Sequence, residues 1–105
     1  MKLSRSAKVR FTDGHAGSAI AAHIKLNAQA NRISRIDREG VVFIHLKVKS
    51  SDEVASALTA YIAGLLTVDA PNVEVVGKVD SLDRLVTVTG MSAAELQQKI
   101  MDAAR

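Results

Sequence analysis

From residue 20 onward the apolar positions recur with two distinct periods. Ile20, Ala22, Ile24 and Leu26 alternate with Ala21, His23 and Lys25, which predicts a half-buried strand. Val42, Ile44, Leu46 and Val48 alternate with Phe43, His45, Lys47 and Lys49, the clearest strand pattern in the chain. The period then lengthens. Ser50 and Glu53 are spaced as a capping box, and Val54, Ala57, Leu58, Tyr61, Ile62 and Leu65 form an apolar stripe at helical spacing. Pro71 breaks the chain, and two strands are predicted at 73–79 and 84–89 around a turn at 80–83. After Gly90, a second capping box at Ser92 and Glu95 opens a last helix whose buried side carries Leu96 and Ile100. Upstream, Val9 and Phe11 alternate with Lys8 and Arg10, a weak strand signal. The stretch Asn27 to Gly40 has only Ile33 and Ile36 as apolar anchors and reads as a loop or an irregular strand.

Counting the weak first strand, the order is β-β-β-α-β-β-α. Two helices on one side of a sheet bury both stripes, which makes the fold class α+β. Ile44, Leu46, Leu58, Ile62, Val86 and Leu96 then belong to one core. The opposite face of the sheet is left open, with His23, Lys25, Phe43, His45 and Lys47 on the early strands and Glu74, Val76, Lys78, Leu85 and Thr87 on the later ones. Two glycines in the polar stretch Asp13 to Ser18 punctuate the chain. They divide a basic N-terminal extension, residues 1–19, from a single domain at 20–105.

Composition narrows the function classes. The chain has 105 residues, 48% apolar and 24% charged, the profile of one globular domain rather than a disordered segment. With no cysteine there is no disulfide, thiolate nucleophile or zinc knuckle, and cytoplasmic and organellar settings both stay open. No apolar run approaches the roughly 20 residues of a membrane span, so a soluble protein is expected. The first ten residues are basic and free of acids, as in a targeting segment or a solvated tail. Charge is uneven along the chain: residues 1–49 carry ten Lys/Arg against three acids, and residues 50–105 carry four against eight. The basic half suits phosphates or an acidic protein surface.

Most candidate chemistry dissolves on inspection. His15, His23 and His45 are scattered, no carboxylate is predicted beside the latter two, and neither metal nor cofactor is expected. Ser50, Ser51, Ser81 and Ser92 near carboxylates, and the pair Asp80 and Asp83, are explained by capping and turns. The two-glycine stretch lacks the Lys-Ser/Thr of a phosphate loop. One cluster survives this sorting. Arg32, Arg35 and Arg38 recur every third residue with isoleucines between, as if the isoleucines anchor the segment while the guanidinium groups face out. With Lys25, Lys47 and Lys49 they are expected to form a basic patch beside Phe43, a sparse version of a single-strand RNA platform.

The chain also resembles the YggU-like family, a set of small uncharacterised α/β domains. Ala28 to Ile33 is similar to its A-x-x-N-x-I segment, with Asn31 at the Asn. Asp52 to Leu66 runs along its D-G-K-A-N-x-x-L helix, and Val73 to Val76 matches its V-E-I-V strand. Ser81, Arg84 and Val86 to Val88 match its S-R-x-K-x-V-x-V hairpin, and Gly90 to Leu96 its closing G-x-x-x-E-E-L. The resemblance covers residues 20–103 and implies a two-layer α+β sandwich. Asn31, Asp52, Ser81 and Arg84 keep the family's polar positions. Val54 and Ser56 replace its Lys and Asn, Leu82 replaces an Arg, and Lys49-Ser-Ser51 replaces its apolar-Pro segment. The functional expectation is a non-catalytic binding or assembly module acting through the basic surface, with RNA binding through the same surface as the alternative.

Overall fold

The computed structural model describes residues 12–13 and 17–104, with side chains from Ser18 onward. The weak strand signal at 8–11, the middle of the two-glycine stretch, His15 and the basic start lie outside the described residues. The elements are β1 (Thr12–Asp13), β2 (Gly17–Lys25), β3 (Arg32–Ile36), β4 (Val42–His45), α1 (Val54–Leu66), β5 (Val73–Val76), β6 (Asp83–Thr89) and α2 (Ala93–Ala103). The fold is α+β, as the periodicities predict.

The sheet runs β3-β4-β2-β6-β5. β2 pairs in parallel with β4 and antiparallel with β6, while β3 with β4 and β5 with β6 are antiparallel neighbours, so the sheet is mixed. β1 pairs with Ser18 and Ala19, and β4 pairs with Ala22 to Lys25. The two therefore share one edge of the long central strand. A parallel pair cannot be closed by a tight turn. Here the chain passes from β2 out to the edge as β3 and returns through a hairpin as β4. From β4, α1 carries it over the sheet to β5 at the far edge.

Both helices cover the same face. α1 packs on β5 and touches α2, and α2 packs on β2 and β3. Between the layers lie Ile20 and Ile24 of β2, Ile44 of β4 and Val86 of β6, with Leu58 and Ile62 of α1 and Leu96 of α2. Six residues expected in one core, Ile44, Leu46, Leu58, Ile62, Val86 and Leu96, are all 0% exposed.

Local chemistry explains where elements begin and end. Ser92 caps α2, its Oγ accepting the Glu95 N–H at 3.1 Å. The capping box expected at Ser50 is different in form: its hydroxyl donates to the carboxylates of Asp52 and Glu53, and no backbone N–H is capped. A 3-10 turn at Ser51–Glu53 leads into α1 instead. Thr67, at φ 61°, closes the helix in the left-handed region. The strands expected at 42–48 and 73–79 stop at His45 and Val76. Leu46 then binds across to the carbonyl of Lys25, and Gly77 turns the chain at φ +146°.

In the arginine segment, the stretch read as a loop or irregular strand contains a bulged edge strand, β3. Its register shifts between Ile33 and Arg35, so Ser34 is the extra residue of a bulge, its hydroxyl donating to the Phe43 carbonyl at 3.2 Å. Two isoleucines with three-residue spacing fall on opposite faces of a regular strand. The bulge turns both inward, Ile33 opposite Ile44 and Ile36 opposite Val42.

Candidate functional site

The same bulge places Arg32 and Arg35 together on the open face of the sheet. Arg32 is opposite His45 and Arg35 opposite Phe43 in the β3–β4 pairing. In the parallel pairing, Lys25 is opposite His45 and His23 opposite Phe43. Two rows result, each crossing three strands: Lys25, His45, Arg32 and, beside it, His23, Phe43, Arg35. β6 extends the second row, because Asp83 is opposite His23.

Contacts within the second row are specific. The Arg35 guanidinium lies 3.9 Å from the centroid of the Phe43 ring, a cation–π contact. The His23 and Phe43 rings are 5.4 Å apart and tilted. His23 Nδ1 and Asp83 Oδ1 are separated by 2.7 Å, a distance at which the ring N–H donates to the carboxylate. Both side chains are solvated, 42% and 80% exposed, so the pair orients the imidazole more than it stabilises the fold. The expectation of no carboxylate near the histidines is thereby corrected: register brings Asp83 to His23 across sixty residues of chain.

The first row has no carboxylate in it. Burial, then the charges of Arg32 and Lys25, hold His45 below the ordinary imidazole range. An open cleft of about 420 Å³ lies at this end of the sheet, between His23, Lys25, Phe43, His45 and the loop residues Asn27 and Leu82.

Other sequence candidates go elsewhere. Arg38 is exposed in the β3–β4 hairpin, where the Asp37 carboxylate accepts the N–H groups of Glu39 and Val41 at 2.9 Å. Lys47 and Lys49 are exposed beyond the end of β4, alongside Asn27 and Ala28. The turn after Ile36 thus sets Arg38 apart from Arg32 and Arg35, and Lys47 and Lys49 follow the end of β4. On the far half of the open face the character changes to Leu85 and Val76, paired in register and 38% and 46% exposed, with Thr87 opposite Glu74.

Asn31, Asp52, Ser81 and Arg84, the polar positions singled out in the sequence, fasten loops. Asn31 Oδ1 accepts the Lys47 N–H at 2.7 Å, joining the β2–β3 loop to the end of β4. Asp52 receives the Ser50 hydroxyl. Ser81 Oγ accepts the Asp83 N–H at 3.0 Å in the turn before β6. Arg84 faces the helix layer, only 5% exposed. Its guanidinium donates to the carbonyls of Ser81 at 3.0 Å, Val79 at 3.0 Å and Ser51 at 3.2 Å, tying the β5–β6 loop to the start of α1.

Among the described residues, no group of three or more His, Cys, Asp or Glu converges as a metal site, and no helix is long and apolar enough to cross a membrane. Comparison of the chain with models of protein families and with curated proteins gives no match.

Proposed function

We propose that this chain is a non-catalytic binding module of the YggU-like type and that the basic half of its open sheet face binds single-stranded RNA. The observation that carries the reading is the cross-strand register. It places Lys25, His45 and Arg32 in one row and His23, Phe43 and Arg35 in the next, on the face opposite α1 and α2. Cationic side chains at strand spacing suit a phosphate backbone, and an Arg plane resting on Phe43 offers a surface on which a base can stack. The YggU-like assignment is supported by motif order from Asn31 to Leu96 within a two-layer α+β fold.

The test is anisotropy of a labelled oligouridylate against salt concentration. Each phosphate contact on a single strand contributes a log–log slope of about 0.7. Arg32→Gln combined with Arg35→Gln should flatten the slope by about 1.4, and Arg38→Gln should leave it unchanged. Unchanged RNA binding in the double variant refutes this surface as the site.

A protein-assembly reading is favoured by one observation, the exposed pair Val76 and Leu85 on the other half of the face. It predicts partner capture with a shallow salt slope, lost in Leu85→Lys and kept in the arginine double variant.

A further inference from the structure

The row Lys25, His45, Arg32 is an arrangement that a sheet ordinarily avoids. Like charges on directly opposed positions repel, and each is commonly placed against a carboxylate. Here three nitrogenous side chains stand on adjacent strands, about 4.8 Å apart in the pairing direction. The groups facing His45 are Lys25 from β2 and Arg32 from β3. Along its own strand come Phe43 and, past the strand end, Lys47. The neighbouring row adds His23 and Arg35, and the carboxylate of that row, Asp83, is engaged by His23. The helices lie on the opposite face and bring no acid to it. Lys25 and Arg32 therefore flank His45 with no carboxylate opposite either of them, and an anion above the row would pair with both.

The dimensions suit one small anion. Lys25 and Arg32 flank His45 on either side, and both stems are long enough to bend their heads over the imidazole between them. A tetrahedral oxyanion accepts hydrogen bonds in several directions at once, from the Arg fork, the ammonium and a ring N–H. The adjoining cleft leaves room for whatever the anion is attached to.

We propose that Lys25, His45 and Arg32 together hold a single phosphate group and that His45 takes up a proton as the phosphate binds. This deepens the RNA reading, on which it depends only for the source of the phosphate. In the free protein burial, then the charges of Arg32 and Lys25, disfavour the protonated form of His45. A bound phosphate reverses the local field, favours the imidazolium and converts the ring from one donor to two. Binding of a phosphodiester, whose own charge is constant in this range, then tightens as pH falls, even though the free protein becomes less stable in the same direction.

The decisive measurement is the ring titration of His45 by NMR in the full chain, alone, with inorganic phosphate and with oligouridylate. Either ligand should raise the His45 midpoint by about one pH unit, which for oligouridylate is equivalent to about tenfold tighter binding below the midpoint than above it. Arg32→Gln should raise the midpoint of the free protein and shrink the response to phosphate. His45→Gln should keep oligouridylate affinity at the alkaline end and remove its tightening at low pH. The arms separate the claims. RNA binding with His45 unmoved overturns the phosphate row and leaves the RNA reading standing. A His45 response to phosphate without RNA binding supports the row and assigns it a small phosphorylated ligand. No response to either overturns the row.

Discussion

Replacing Arg84 by Met probes the least expected residue in the structure. Arg84 is the charged residue of an otherwise alternating strand pattern, yet it is a buried cation with three carbonyl partners. Hydrogen bonds from a charged donor contribute about 1.5–3 kcal/mol each before the desolvation of the guanidinium is counted. That desolvation offsets several kcal/mol of the gross gain. Met fills much of the same volume and leaves no charge stranded, and the freed carbonyls of Val79 and Ser81 sit in an accessible loop where water replaces the lost donor. The net cost should therefore be about 2–3 kcal/mol, below the range for breaking a buried ion pair. With an unfolding entropy near 0.2 kcal/mol/K for a domain of this size, Tm should fall by about 10 °C. Circular dichroism melting measures it, with urea unfolding as the second estimate. Arg84→Lys should recover little, since one ammonium cannot fork between the loop and the start of α1. Oligouridylate binding below the melting range should be unaffected. A Tm within about 2 °C of wild type would refute the reasoning, because it would mean that the carbonyl contacts barely exceed the desolvation they require.

Leu58, 0% exposed in α1 where it meets the sheet, should cost about 2–5 kcal/mol when truncated to Ala, read as a shift in urea midpoint; a loss under 1 kcal/mol would contradict its place in the core. His45 also makes a prediction for the free protein. Its folded value is depressed, so the unfolded chain binds the proton more readily, and stability is lost as pH falls below the ordinary value of 6.5 and unaffected above it. His45→Gln should remove that part of the acid slope in melting experiments, and an unchanged slope would show that the depression is absent.

Much of the architecture is determined locally and was legible for that reason. The alternation through Ile24 and Ile44 and the stripe through Leu58 and Ile62 each concern a single element and a single buried face, so periodicity alone identifies them. The Ser92 cap likewise depends on a hydroxyl and an N–H three residues apart. Where that pattern misled, a competing contact within the same few residues had overridden it. Ser50 is spaced as a cap, but its hydroxyl is taken by Asp52 and Glu53.

The open face was legible in its residue types and not in its grouping. Lys25, Phe43 and His45 follow from alternation on two strands. Arg32 and Arg35 have a spacing that belongs to opposite faces of a regular strand, and only the bulge at Ser34, formed against Phe43, brings them to one side. Arg38 is separated from them by a turn whose position depends on Asp37 accepting two N–H groups. Pairing across the sheet decided the rest. His23 meets Asp83, and Arg84 reaches Ser51, through registers that join residues sixty and thirty-three positions apart. A strand's own sequence specifies which side chains point up or down. Which strand lies beside it, and at what offset, is settled by how the whole chain buries its apolar faces together.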